Sequence, residues 1–116
     1  VLMRSLIYGI LLFLLGQSMI WFQTNGQFVW PWFKKNPFII ALIGGSTISY
    51  MFIVATRLIA EYYGGEIWPG RFLGFATGMV AFSILTYIIM GEPLTTKTVV
   101  SLLISLVLVC IQIFWK

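Results

Sequence analysis

Apolar residues fill four long stretches of the chain, and short polar or aromatic segments separate them. The stretches cover roughly 5–23, 37–60, 68–90 and 96–115. A membrane-spanning helix needs about 20 mostly apolar residues, and each stretch is close to that length. Because the runs are continuous and do not alternate between apolar and polar positions, an outer-membrane barrel is excluded. The pattern predicts four transmembrane helices in a single domain, 1–116.

Short connections join the segments, so consecutive helices are expected to run antiparallel and to pack as neighbours. Pro37 and Pro69 suit the first turns of the second and third helices. Gly64 and Gly65 can end the second helix, and residues 24–36 are interpreted as a loop. The predicted fold is a compact all-α membrane bundle of four helices, with both termini on the same side.

Composition indicates that lipid is the solvent for most of the chain. Of the 116 residues, 60% are hydrophobic and 9% are charged, and the mean hydropathy is +1.02. A soluble domain of this size could not bury so much apolar surface. The first apolar run, from Leu6 to Phe22, is longer than that of a signal peptide and no cleavage site follows it, so we expect a retained helix. These features predict a multi-pass integral protein in a lipid bilayer of the bacterial inner-membrane type.

The side chains that most enzymes and metal sites use are scarce. The chain has no histidine and a single cysteine, which argues against a Cys/His metal site and a disulfide framework. Cys110 lies within the last apolar run and is expected to be a small buried hydrophobic residue. Glu66 and Glu92 lie in separate turns, so no acid–base or nucleophile–base pair can be assembled. We therefore predict no enzymatic activity, no metal and no cofactor.

Seven basic and three acidic residues give a formal net charge of +4. The basic residues stand at the ends of the apolar segments, which is typical of headgroup anchors and excludes nucleic acid as a partner. They fall into two groups: Arg4, Arg57, Arg71 and Lys116 on the terminal side, and Lys34, Lys35 and Lys97 on the other. This small excess favours cytoplasmic termini. The alternative is dual topology, in which the chain inserts both ways and forms an antiparallel dimer.

Polar side chains near membrane depth are the candidate contacts for a solute. Gln17 and Ser18 interrupt the first helix, and Tyr50 of the second helix is assigned to the same pathway. Arg71 falls in the first turn of the third helix, where an ionisable group either anchors the helix at the interface or belongs to a polar cavity. For Gln17, the alternative is a hydrogen bond to another helix.

A basic and an acidic residue stand close together at the end of the second helix. Arg57 and Glu61 are four residues apart, so their side chains can meet on one helical face. We interpret them as an ion pair or as interface anchors whose charged ends reach water.

Small residues at helical spacing indicate close packing of the third and fourth helices. In "GRFLGFATG" three glycines recur every four residues, which places them on one stripe where another backbone can approach. The candidate packing residues are Gly70, Gly74, Gly78, Ser101 and Ser105. The spacing does not distinguish a helix of the same chain from a helix of another subunit.

The stretch "MGEPLTTKT" is a well-formed helix break. Gly91 can end one helix, Pro93 prevents its continuation, and Thr95 or Thr96 can cap the next. Within it, "GEPLT" at 91–95 resembles the turn before the final helix of the drug/metabolite transporter superfamily, which includes the four-helix small multidrug resistance proteins. The length, the short loops, the "KNP" before the second helix and the glycine-bearing third helix are also similar.

The resemblance implies a dimeric transporter whose path lies between the first three helices of two subunits, with the fourth helix at the dimer contact. The small multidrug resistance proteins carry a proton-exchanging glutamate in the first helix, whereas Gln17 is the only polar group near that depth here. Arg71 stands where that family has substrate-facing aromatic residues, and a cation there suits an anionic or polar neutral solute. We therefore predict a transporter-like homodimer. The alternative is an accessory subunit of a larger membrane complex.

Overall fold

The structure, a computed structural model, describes residues 2–115, so the predicted interface anchor Lys116 lies outside the described residues. It contains five α-helices and no strand within that range. Four of the helices are long and apolar enough to cross a membrane, which confirms the predicted all-α bundle. The helices are α1 (Leu2–Asn25), α2 (Pro31–Lys35), α3 (Pro37–Tyr62), α4 (Trp68–Leu85) and α5 (Thr96–Phe114).

Glycines end α3 as the sequence predicts. Gly64 and Gly65 have φ angles of +68° and +98°, which L side chains rarely adopt. The Gly65 N–H donates to the carbonyl of Ala60 at 2.7 Å, and the Gly64 N–H donates to the carbonyl of Glu61 at 3.4 Å. This pair of bonds is a Schellman motif, so the last carbonyls of α3 are satisfied before the chain turns.

The turn between α4 and α5 is also built as predicted, except at its start. Gly91 adopts a φ of +69°, and Thr95 caps α5 by accepting from the Thr98 N–H at 3.3 Å. The third helix was predicted to be regular up to residue 90, but its last five residues, Thr86–Met90, form a π-helical turn. The π-helical turn begins at Thr86, whose hydroxyl accepts a hydrogen bond from Trp21 of α1. No local sequence pattern predicts this tertiary contact.

The connection from α1 to α3 is ordered, in contrast to the loop that was predicted for 24–36. A 3₁₀ turn, Gly26–Phe28, is followed by the short helix α2. Pro31 stands in the first turn of α2, where its fixed φ and missing N–H suit a helix start. The ring of Phe33 packs on Gly26, so α2 is held by a contact across the connection.

The spanning helices form a flat layer, and α1 lies at its centre. The most extensive contacts are those of α1 with α3 and α4, while α5 has its only extensive contact, among the described residues, with α4. Phe13, Ala55 and Ile59 form the buried core between α1 and α3. The molecule measures 46 × 36 × 18 Å. Most large apolar side chains point outwards, as expected where lipid replaces water.

Candidate functional site

The glycine stripe of α4 packs against α1 of the same chain. A Cβ atom added at Gly74 would lie 3.5 Å from the Phe13 ring, and one added at Gly78 would lie 3.0 Å from the carboxamide of Gln17. Gly70, at the start of the stripe, is buried and faces α3. The absent side chains therefore allow α1 to approach the α4 backbone.

Both polar candidates of α1 bind backbone carbonyls inside the chain. Gln17 donates from Nε2 to the carbonyl of Gly74 on α4 at 3.0 Å. Ser18 donates from Oγ to the carbonyl of Leu14, one turn earlier in its own helix, at 2.8 Å. Both side chains are half-buried. The Gln17 bond ties α1 to the glycine stripe of α4.

A second polar link between α1 and α4 lies nearer to the C-terminal ends of both helices. It was not predicted from the sequence. Trp21 donates from Nε1 to the hydroxyl of Thr86 at 2.9 Å, and both side chains are buried. Thr77 is buried as well, and its hydroxyl lies 2.9 Å from the carbonyls of Leu73 and Gly74. The sequence offers no local signal for the Trp21–Thr86 pair, because 65 residues separate its members.

The contact between α1 and α3 depends on two further glycines that the sequence interpretation did not use. A Cβ atom added at Gly9 would lie 2.6 Å from Cγ1 of Ile59 and 3.2 Å from the carbonyl oxygen of Ala55. One added at Gly16 would lie 2.7 Å from the Phe52 ring. The sequence does contain a signal for this contact, since Gly9 and Gly16 are seven residues apart and share one helical face.

The remaining predicted pathway and anchor residues lie on the outside of the chain. Tyr50 is 70% exposed on α3, and Arg71 is exposed in the first turn of α4. Arg57 and Glu61 are both exposed near the end of α3. The structure therefore brings Gln17 to the α1–α4 contact and leaves Tyr50 and Arg71 facing the surroundings.

An apolar groove of about 340 Å³ separates α4 from α5. Ser83 and Ser105 line it, but each hydroxyl donates to a carbonyl of its own helix, at 2.7 Å and 2.9 Å. Ser101 is exposed and donates to the carbonyl of Lys97 at 3.0 Å. The groove is thus almost entirely apolar. Cys110 on α5 is exposed, so its expected burial is wrong, because only one side of α5 meets another helix.

Two tyrosines stand at the end of α3, where the candidate membrane span Pro37–Tyr62 ends. The rings of Tyr62 and Tyr63 meet edge to face with centroids 4.9 Å apart. Burial, and to a smaller degree the neighbouring Tyr62, raises the pKa of Tyr63 above its ordinary value. The phenol therefore stays neutral and keeps its proton at physiological pH, as suits an aromatic residue at the membrane interface.

Comparison with protein-family models, with curated proteins and with solved structures found no match for the chain. Within residues 2–115, no group of three or more His, Cys, Asp or Glu side chains is placed to hold a metal ion. The similarity of 91–95 to the drug/metabolite transporter superfamily remains a prediction.

Proposed function

We propose that the chain is a small transporter-like membrane protein that moves a small polar or anionic solute as a homodimer. One observation carries the proposal: among the described residues every buried side-chain nitrogen and oxygen has a hydrogen-bond partner, while Tyr50 and Arg71 are exposed. A polar path would therefore lie on the outer surface of the bundle, where a second copy encloses it.

The charges near the membrane favour a solute that is not a cation. α1 contains no acidic residue, so a cation moving beside it would meet no compensating carboxylate. Arg71 supplies a positive charge in the first turn of α4. A fixed cation at the mouth of a low-dielectric path attracts anions and repels cations.

The test is uptake into proteoliposomes with a panel of anionic, neutral polar and cationic solutes. We expect Arg71→Ala to reduce uptake of the transported anion at least tenfold, and Arg71→Lys to restore part of it. Arg57→Ala is the matched control, since Arg57 is also an exposed arginine near the same end of the bundle. Equal uptake by the Arg71→Ala and wild-type proteins would refute the path.

Gln17→Leu separates a pathway role from a packing role. The variant loses the bond from Gln17 to the Gly74 carbonyl, so its stability is expected to fall in either case. A pathway role requires that uptake per folded molecule also falls. Unchanged uptake per folded molecule would remove Gln17 from the path and leave Tyr50 and Arg71 as its polar residues.

A second candidate function is that of an accessory subunit in a larger membrane complex. The bonds of Gln17 and Ser18 within the chain favour it, because each side chain already has a structural partner. Purification in a mild detergent distinguishes the two. An accessory subunit is recovered with a larger partner in fixed proportion, whereas a transporter of the proposed kind is recovered as a homodimer.

A further inference from the structure

The ordered connection between α1 and α3 carries an aromatic and basic surface. Trp30 and Trp32 are 38% and 55% exposed, and Lys34 and Lys35 are exposed in the last turn of α2. We call these four residues the α2 patch. No part of the transport proposal uses it.

The patch is held in a fixed position. Phe33 packs on the buried Gly26, where an added Cβ atom would lie 2.5 Å from the ring. The Trp30 N–H donates to the Gly26 carbonyl at 2.8 Å, and the Trp30 ring stacks on Phe22 of α1 with centroids 6.0 Å apart. With Phe33 turned inwards, its neighbours on α2 are left exposed.

The α2 patch lies between two candidate membrane spans, a position that is expected at the level of the lipid headgroups. It connects the spans Met3–Phe28 and Pro37–Tyr62, so it stands where one helix leaves the bilayer and the next enters. Tryptophan is enriched at this depth because its ring is apolar and its N–H is polar. Lysine extends its ammonium group from the same level towards water.

The charge around the patch is positive. No acidic residue occurs before Glu61 in the sequence, so neither α1, α2 nor the connection offers a carboxylate to the two lysines. The α4–α5 turn, at the same end of the bundle, has one basic residue, Lys97, and one acidic residue, Glu92, so it contributes no net charge. Paired lysines beside interfacial aromatic residues complement the phosphate of an anionic lipid.

We propose that the α2 patch binds the headgroups of anionic phospholipids. Trp30 and Trp32 lie in the interface and hold α2 at phosphate depth, and Lys34 and Lys35 contact the negative charge. Phe33 acts through Gly26 as a positioning residue, since it aligns the patch with the bilayer.

The experiment measures stepwise binding of phosphatidylglycerol and phosphatidylcholine to the purified protein by native mass spectrometry. Near a membrane surface one lysine contributes about fivefold to the binding of anionic lipid. We expect Lys34→Gln/Lys35→Gln to raise the dissociation constant of the first phosphatidylglycerol about 30-fold. Phosphatidylcholine binding should not change. Lys97→Gln, a lysine at the same end but outside the patch, is the control and should keep wild-type binding within about twofold.

A second variant tests whether the patch is a built site or only a diffuse charge. Phe33→Ala keeps both lysines but removes the ring that packs on Gly26, so the preference for phosphatidylglycerol is expected to fall. Circular dichroism and gel filtration verify folding of each variant. Three results would overturn the proposal: equal losses in Lys97→Gln and the double variant, wild-type preference in Phe33→Ala, or displacement of the lipid by inorganic phosphate alone.

Discussion

The hydrogen bond from Trp21 to Thr86 joins α1 to the end of α4 in a region that solvent does not reach. An indole has one donor and no acceptor, so the Thr86 hydroxyl is the group that satisfies it. An acyl chain cannot replace that acceptor, because hydrocarbon forms no hydrogen bonds. The bond therefore favours one rotation of α1 relative to α4, in addition to the contacts at the glycine stripe.

Thr86→Val removes this acceptor with little change in side-chain volume. We expect the free energy of unfolding to fall by about 1 kcal/mol, within the range for hydrogen bonds between membrane helices. The measurement is reversible unfolding in mixed micelles. Thr47→Val is the control, since Thr47 is exposed and its hydroxyl bonds within its own helix, to Ile43. A loss of the same size in both variants would contradict the prediction.

Gly9→Ala tests the close contact between α1 and α3. The new Cβ atom would lie 2.6 Å from Cγ1 of Ile59, so the buried Ile59 side chain or the helices must shift, at a cost of about 1–3 kcal/mol. Gly45→Ala is the matched control, because its Cβ atom would meet nothing closer than 4.0 Å. Both changes add the same helix propensity. Unfolding in mixed micelles should show a lower stability for the Gly9 variant than for the Gly45 variant.

At the scale of single residues, the sequence predicts which positions need small side chains but not what fills the space. The spacing of Gly74 and Gly78 indicates a close approach, and the structure places Phe13 and Gln17 of α1 against them. The partner cannot be predicted from the stripe, since any helix with a complementary surface fits it. Tyr50 and Arg71 are recognisable as polar residues at membrane depth, but their exposure depends on how the helices pack.

At the scale of elements, the ends of the helices are the best-predicted features. Backbone preferences and hydrogen bonds with near neighbours define these ends. The residues concerned are Pro37, Gly64, Gly91 and Thr95. Such local chemistry is visible in the sequence. The helix bounds differ from the predicted ones by a few residues, as expected where a helix end frays or continues by one turn.

Gly91→Ala tests the turn between α4 and α5. The φ of Gly91 is +69°, which costs an L residue other than asparagine about 1–2 kcal/mol. We expect Gly91→Ala to lower the free energy of unfolding by that amount, and Gly91→Asn to lower it by less because asparagine tolerates this conformation. Thermal unfolding of the two variants in detergent measures the difference. Equal stability of the alanine variant and the wild type would contradict the assigned turn.

Two elements could not be predicted because contacts with residues outside the element define them. The helix α2 is only five residues long, too short to be stable by itself, and Phe33 holds it by packing on Gly26. The π-helical turn begins at Thr86, whose partner Trp21 is 65 residues away. In both cases the local sequence pattern shows the residues of the element but does not identify the residue that they contact.

At the scale of the whole molecule, the sequence predicts the number of spanning helices, because bilayer thickness sets their length. Their arrangement is less predictable. The expectation that consecutive helices are neighbours holds for α1 with α3 and for α4 with α5, whereas the contact of α3 with α4 is small and α1 lies between them. Apolar surfaces of membrane helices are similar to one another, so the pattern does not specify this order.

The orientation in the membrane is tested by labelling an introduced cysteine. In a Cys110→Ala background, Glu66→Cys places a thiol in the exposed α3–α4 connection. We expect a membrane-impermeant maleimide to reach it only from the cytoplasmic face, since a small excess of basic residues stands on that side. Thr24→Cys, exposed near the opposite end of α1, is the control and should label only from the other face. Labelling of either variant from both faces would show dual topology.

The helix α5 packs on α4 and is the last of the helices to be synthesised. By the time residues 96–114 enter the bilayer, α1, α3 and α4 are already present and can complete their mutual contacts. The last helix then needs one surface, that of α4, and every newly made copy offers the same surface. Since identical elements exchange between copies at little cost, crowded insertion allows α5 of one chain to pack on α4 of another. Expression level would then set the proportion of interlinked molecules.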